Sequence, residues 1–104
     1  MLRRRYEILL PLQYNDGGPI PIEDLNQTRE ELLARFRAMS IQPGTIAGVW
    51  IHEGMRYEDS LVRITVDVED VPENRQFFVD WKPTLLQRFR QIEIYITSFL
   101  IDVI

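Results

Sequence analysis

Residues 48–68 read GVWIHEGMRYEDSLVRITVDV and hold two β-type runs on either side of a turn at His52-Glu53-Gly54. In the second run, from Leu61 to Val68, valine and isoleucine occupy every second position and polar residues occupy the positions between them. A period of two is typical of a strand with one buried and one polar face. The stretch therefore predicts a β-hairpin onto which both flanking parts of the chain fold.

The residues before the hairpin turn predict two strands with a helix between them, and the second of these strands is the first arm of the hairpin. Arg5 to Leu12 alternates as a strand does, and the turn residues at 15–19 end it. Pro21 followed by acidic residues is typical of a helix start, and helical hydrophobic spacing continues to Met39. Gln42-Pro43-Gly44 breaks the chain, and a second strand is expected from Thr45 to Ile51.

A second helix and a last strand are expected after the hairpin. Asp70 stands at an N-cap position, Pro72 falls in the first turn and Glu73 comes three residues after Asp70. The helix should reach about Arg90 and bend near Pro83, because proline removes a backbone donor. Its core residues are expected to be Phe77, Phe78, Trp81, Leu85 and Phe89. The segment from Glu93 to Ile104 reads as a strand that is apolar on both faces.

The order β-α-β-β-α-β predicts an α+β protein with a ferredoxin-like plait, in one domain spanning residues 1–104. Two helices would cover one face of a four-stranded antiparallel sheet and leave the other face bare. That bare face is expected to be partly apolar, with Leu9, Arg63, Thr65, Tyr95 and Phe99 on it. Apolar surface of this kind marks contact sites in soluble domains.

Composition excludes several functional classes. The chain has no cysteine among its 104 residues, which rules out disulfides, thiolate metal sites and cysteine nucleophiles. A net charge of −4 argues against nucleic-acid binding, which depends on a basic surface. No apolar run approaches the ~18 residues of a membrane span. We expect a cytoplasmic protein that binds neither membranes nor nucleic acid.

His52 is the one histidine and carries the main hypothesis of catalysis. As a general acid or base, it would work with Tyr57 or Glu58, and Trp50 would line the adjoining pocket. The alternative is a solvated hairpin tip without chemistry.

Three other groups of residues admit both a functional and a structural interpretation. Four carboxylates could be oxygen ligands of Mg²⁺ or Ca²⁺, or could stabilise a helix start through the helix dipole: Asp67, Glu69, Asp70 and Glu73. The loop at 15–18 offers backbone N–H groups to an anion, or is a plain connection. Arg3 to Arg5 would contact phosphates, or form a frayed, solvated terminus. Because no metal or phosphate-loop spacing is present, we expect no metal and no cofactor.

The segments YEILLPLQYNDG, IAGVWIHEGMRYED and VDVEDVPENRQFF resemble a family of small, uncharacterised bacterial proteins with a ferredoxin-like plait. The likeness extends from Tyr6 to about Ile104. It implies the plait and transfers no catalytic residue.

Two functional hypotheses follow. The first is a non-catalytic interaction or ligand-responsive module that forms a homodimer, with Tyr95, Phe99 and Ile101 in the interface. The second is a small dimeric plait enzyme, monooxygenase- or isomerase-like, which acts on a small organic molecule in a pocket on the sheet face. Its residues would be His52, Tyr57, Glu58 and Trp50.

Overall fold

A computed structural model describes residues 1–42 and 44–104. In chain order the elements are β1 (Arg3–Pro11), α1 (Ile22–Phe36), β2 (Ser40–Ile41), β3 (Ile46–His52), β4 (Met55–Glu69), α2 (Pro72–Arg88) and β5 (Ile96–Ile101). The α+β class and the order of helices and strands are as predicted, apart from the additional two-residue strand β2. Of the predicted break at residues 42–44, Pro43 lies outside the described residues.

The strands form one antiparallel sheet in which β1 lies between β4 and β5. The long strand β4 pairs with β1 along one edge and with β3 and then β2 along the other. This arrangement is the ferredoxin-like plait, with its second strand divided into β2 and β3. The division was not predicted, because the helical spacing was expected to continue to Met39. The helix instead ends at Phe36, and Ser40 and Ile41 pair with β4. Arg37 takes a left-handed conformation there, with φ 67°.

The β3–β4 hairpin turns through Glu53 and Gly54, as predicted. Both residues have positive φ, 50° and 76°, and His52 is paired with Met55. A two-residue loop with positive φ at both positions matches the right-handed twist of the strands. The hairpin register therefore places Trp50 opposite Tyr57 and Gly48 opposite Asp59.

The start of α2 differs from the prediction. Val71, not Asp70, is the N-cap residue, and no side chain caps the helix. Asp70 instead accepts a hydrogen bond of 2.8 Å from Nε of Arg4, which lies 66 residues away in the chain. Pro72 occupies the first turn as expected, and the helix runs as one element through Pro83 to Arg88.

The core lies between the helices and one face of the sheet. Tyr6, Ile8 and Leu10 of β1 are buried, and so are the alternating residues 62, 64, 66 and 68 of β4. Phe78, Trp81, Leu85 and Phe89 cover them from the second helix. Phe77 is only partly buried and packs against this core at its margin. The predicted aromatic core is thereby confirmed, with Phe78 rather than Phe77 at its centre.

The last strand is shorter than predicted. It covers Ile96–Ile101 rather than 93–104, because Ile94 turns into the core and residues 102–104 are outside the strand. Its outer edge faces no other strand within the described ranges. The face of the sheet opposite the helices, which we call the open face, carries Leu9, Leu61, Arg63 and Phe99, as their register positions require.

Candidate functional site

A groove of about 480 Å³ lies on the open face, between the β3–β4 hairpin and the segment before β5. Leu9, Pro11 and Leu61 give it apolar walls. Gly48, Trp50 and Asp59 contribute from the hairpin, and Tyr95 and Glu93 contribute from the opposite side. Gly48 matters to this shape: a Cβ built there would lie 2.9 Å from Cδ1 of Leu61.

Trp50 is held in place by two contacts. Its indole Nε1–H donates a hydrogen bond of 2.7 Å to Oδ2 of Asp59. Its ring stacks on Tyr57, with the ring centroids 4.5 Å apart and the planes 20° from parallel. The second carboxylate oxygen of Asp59 makes no hydrogen bond within residues 1–42 and 44–104. The arrangement fixes a flat aromatic surface and a carboxylate at the groove.

The catalytic candidates from the sequence do not all come together. His52, Trp50 and Tyr57 share one side of the hairpin, and the rings of Trp50 and His52 lie 6.2 Å apart. Glu58 points to the other side, where it accepts a 2.9 Å hydrogen bond from Nη2 of Arg56. Asp59, and not Glu58, is the carboxylate that contacts Trp50. The sequence contained the signal, because a turn at residues 53 and 54 places residue 59, not 58, on the side of Trp50.

The interface candidates share the open face. Phe99 stands opposite Arg5 and Ile101 opposite Arg3, while the backbone of Tyr95 accepts a hydrogen bond from the amide of Leu9. Tyr95 is 63% exposed and Phe99 is 45% exposed. The apolar residues Val103 and Ile104, which follow β5, are also exposed, and Leu100 is exposed on the opposite face of the strand. The structure therefore gathers an uncovered hydrophobic area at β5.

The three N-terminal arginines form part of β1 and do not fray into solvent. Arg5 binds both carboxylate oxygens of Asp67, at 2.7 and 2.9 Å, and Arg4 binds Asp70. The hydrogen bond from Arg5 lowers the pKa of Asp67, and burial only partly opposes this. Two of the four clustered carboxylates thus pair with Arg4 and Arg5, while Arg3 donates to the backbone carbonyl of Asp67. No group of three or more potential metal ligands occurs in the described part of the chain.

A polar cluster that joins the helices was not predicted. Arg88, whose side chain is 9% exposed, donates to both carboxylate oxygens of Glu31 at 2.9 and 2.7 Å. Arg88 also donates to the hydroxyl of Thr28, and Trp81 Nε1 donates to Glu31 at 2.8 Å. Burial raises the pKa of Glu31, but the hydrogen bonds from Arg88 and Trp81 outweigh it, so the net shift is downward.

The loop between β1 and α1 is a tight, self-contained turn. Gln13 and Pro19 form a β-bridge, and the amide of Gly18 donates to Oδ1 of Asp16 at 2.9 Å. The guanidinium of Arg90 lies 5.0 Å from the ring centre of Tyr14. These contacts support the interpretation as a connecting loop.

The chain order, the register and the helices on one face define a ferredoxin-like α+β protein. Two solved structures share this fold. "Crystal structure of CutA1 from Oryza sativa" superposes with a TM-score of 0.64 at 10% identity, over 99% of this chain and 83% of that one. "Crystal structure of divalent ion tolerance protein CutA1 from Ehrlichia chaffeensis" gives 0.59 at 13% identity, over 93% and 78%.

These likenesses show the fold alone, because the identities are low. No protein-family model matches the chain, and no curated protein matches it significantly. The resemblance to a bacterial family, the cytoplasmic location and the enzymatic alternative therefore stay predictions. Across residues 1–42 and 44–104, neither helix has the length and apolar character needed to cross a bilayer.

Proposed function

We propose that the protein is a non-catalytic binding module that forms a homodimer through the open face of its sheet, with β5 inside the contact. The observation that carries the proposal is the exposure of Tyr95 and Phe99 on a face that neither helix covers. Aromatic residues are enriched at protein interfaces because they bury a large rigid surface at low entropic cost.

The charges of the open face are compatible with such a contact. Arg5 is paired with Asp67, and Nε of Arg63 lies 3.8 Å from Oε2 of Glu7. Nη1 of Arg63 also donates to Gln42. Because these partners lie on the same face, a second copy would meet Arg5 and Arg63 already paired, which lowers the cost of desolvating them.

The size of the molecule is compatible with such a contact. Its two longest principal extents are 43 and 28 Å. A standard interface needs about 800 Å² from each partner, which a molecule of these dimensions can offer on one side. A self-complementary patch is what a two-fold dimer requires, since each copy offers the same residues.

A second copy on the open face would also close the groove beside Trp50. The groove is lined by apolar side chains and a few polar groups, which is the composition of small-molecule sites. Closure over Trp50 and Tyr95 would couple ligand binding to dimerisation. We therefore propose that ligand binding in the groove favours the dimer.

The two CutA1 structures support only the fold on which this proposal depends. The words "divalent ion tolerance" describe the protein from Ehrlichia chaffeensis. The described residues of the present chain bring no three metal-ligating side chains together, so the proposal contains no metal site.

Sedimentation analysis of two matched variants tests the proposal. Phe99→Glu places a charge in the contact and is expected to weaken dimerisation by at least about tenfold, because desolvating one unpaired charge costs more than 1.4 kcal/mol. Ile22→Glu makes the same change at a 60% exposed residue at the start of α1, away from the open face, and should leave dimerisation unchanged. Equal effects of the two variants, or a wild type that stays monomeric, would overturn the proposal.

A further inference from the structure

We infer that the crevice between α2 and β5 is a binding site for a phosphoryl group, either as inorganic phosphate or as part of a small phosphomonoester. The crevice has a volume of about 130 Å³ and is lined by Tyr6, Arg75, Phe78, Val79, Lys82 and residues 96–98. It lies on the helix side of the sheet, opposite the open face. It is therefore separate from the proposed dimer contact and from the groove beside Trp50.

The phenol of Tyr6 is the first feature that points to a ligand. The residue is 3% exposed, and its ring stacks on Phe78 with the centroids 4.0 Å apart. Its hydroxyl has no hydrogen-bond partner in residues 1–42 and 44–104. Because Tyr6 lines the crevice and its hydroxyl is not one of the fully buried atoms that lack a partner, the phenol is open to the crevice and can donate one hydrogen bond there. A bound anion would supply the acceptor.

Two cations of α2 flank the phenol. Arg75 and Lys82 are seven residues apart and thus lie on one face of the helix, with Val79 between them. Arg75 makes no ion pair with any described residue, so its guanidinium has donors free for a ligand. Lys82 Nζ lies 2.7 Å from Oε1 of Glu93, and two of its three protons remain for another acceptor.

The other charges around the crevice are already paired. Arg4 donates through Nε to Asp70 and through Nη1 to the hydroxyl of Ser98 at 3.1 Å. Arg4 and Asp70 thus offset each other, as Lys82 and Glu93 do. Arg75 supplies the uncompensated positive charge. The pKa of Tyr6 is raised overall, because burial and the charge of Asp70 outweigh the opposite effect of Arg4 and Arg75, whose guanidinium groups lie near the phenol.

The edge of β5 supplies further donors. The amide of Leu9 donates to the carbonyl of Tyr95, so residues 95, 97 and 99 exchange hydrogen bonds with β1. By the alternation of an antiparallel ladder, the amide of Ser98 points away from β1 to the free edge. Ser98 therefore offers an N–H without a ladder partner beside its hydroxyl, at the rim of the crevice.

The geometry favours a tetrahedral oxyanion over a carboxylate. Donors come from the helix, from the floor at Tyr6 and from the strand at Ser98, and a phosphoryl group has three acceptor oxygens to meet them. The volume far exceeds the ~10–15 Å³ that one water needs. Phe78, Val79 and Ile96 add an apolar wall that suits a small organic substituent on the phosphate.

Isothermal titration of the full chain at low salt tests the site, with inorganic phosphate, phenyl phosphate and acetate as probes. We expect saturable millimolar binding of phosphate and weaker binding of acetate. Tighter binding of phenyl phosphate than of phosphate would assign the site to a phosphomonoester, and equal binding would assign it to the free anion. Absence of saturable phosphate binding, or acetate binding as tightly as phosphate, would overturn the inference.

Variants locate the binding. Arg75→Gln should weaken phosphate binding by about tenfold, the effect of losing one charged hydrogen bond. Tyr6→Phe removes only the hydroxyl and should weaken it severalfold, while the circular dichroism spectrum stays that of the wild type. Arg56→Gln removes the same charge as Arg75→Gln from the exposed hairpin and should leave binding unchanged. An equal loss in Arg56→Gln and Arg75→Gln would contradict the site.

Discussion

The indole N–H of Trp50 on β3 donates a 2.7 Å hydrogen bond to the carboxylate of Asp59 on β4, across the groove side of the hairpin. The two residues are diagonal neighbours in the ladder, since Trp50 is paired with Tyr57 and Gly48 with Asp59. Both side chains are partly exposed, so the bond does little for the core. Its effect is to fix the orientation of an aromatic ring at the mouth of the groove.

Replacing Asp59 should release Trp50 at a modest cost in stability. We expect Asp59→Ala to lower the free energy of unfolding by about 1–2 kcal/mol, near the lower end for a charge-assisted bond because the site is partly exposed. Trp50 fluorescence should shift to longer wavelength, measured in a Trp81→Phe background. Asp59→Asn keeps an acceptor and should behave nearly as the wild type. An emission spectrum unchanged in Asp59→Ala would contradict the orienting role.

The hairpin turn offers two substitutions of opposite sign. Glu53 has a positive φ that favours asparagine or glycine, so Glu53→Asn should raise the free energy of unfolding by about 0.5 kcal/mol. Gly54 has φ 76°, and Gly54→Val should lower it by about 1–3 kcal/mol because of strain in a β-branched residue. Urea unfolding measures both. Loss of stability in Glu53→Asn would show that the turn is not of this type.

The contact between the helices depends on the pair Glu31–Arg88. Glu31→Gln leaves a nearly buried guanidinium without its charge partner and should lower the free energy of unfolding by about 2–3 kcal/mol, reduced by the partial exposure of Glu31. The neighbouring Glu30 is exposed, and Glu30→Gln should change stability by less than about 0.5 kcal/mol. Urea unfolding measures both variants. Similar losses of unfolding free energy in the two would show that the Glu31–Arg88 pair does not specifically stabilise the contact between the helices.

The free energy of unfolding should fall in acid because three carboxylates with lowered pKa values become protonated. Hydrogen bonds from Arg5 and Lys82 lower the pKa of Asp67 and Glu93, and those from Arg88 and Trp81 lower the pKa of Glu31 against its burial. A depressed folded pKa contributes stability that is fully present above the ordinary pKa values of 4.5 for the glutamates and 3.8 for the aspartate. That contribution is lost as pH falls through the lower, folded values.

The urea midpoint should therefore stay level from neutral pH to about pH 5 and fall below it. Arg5→Gln removes the partner of Asp67 and should make the fall shallower. A midpoint that rises on acidification, or the same slope in the variant, would show that these pairs do not set the acid limit.

The parts of the structure that sequence could predict are those set by local pattern. The alternation in residues 61–68, the turn at 52–54 and the helical spacing around Trp81 depend on neighbours in the chain, and each was confirmed. The use of Asp70 could not be predicted in this way. Its partner Arg4 lies 66 residues away, and that ion pair replaced the expected cap.

The same limit applies to the candidate sites. Hairpin register alone was enough to prefer Asp59 to Glu58 once the turn was located. The pairing of Glu31 with Arg88, 57 residues apart, depends on how the two helices pack. The crevice at Tyr6 likewise combines β1, α2 and β5, and its residues show no motif in the sequence.

Light scattering over a range of protein concentrations measures directly whether the chain associates through the open face. We expect the molar mass of the wild type to approach twice the 12.4 kDa of one chain at micromolar concentration, and that of Phe99→Glu to stay near 12.4 kDa. A wild type that keeps the mass of one chain at high micromolar concentration would contradict it.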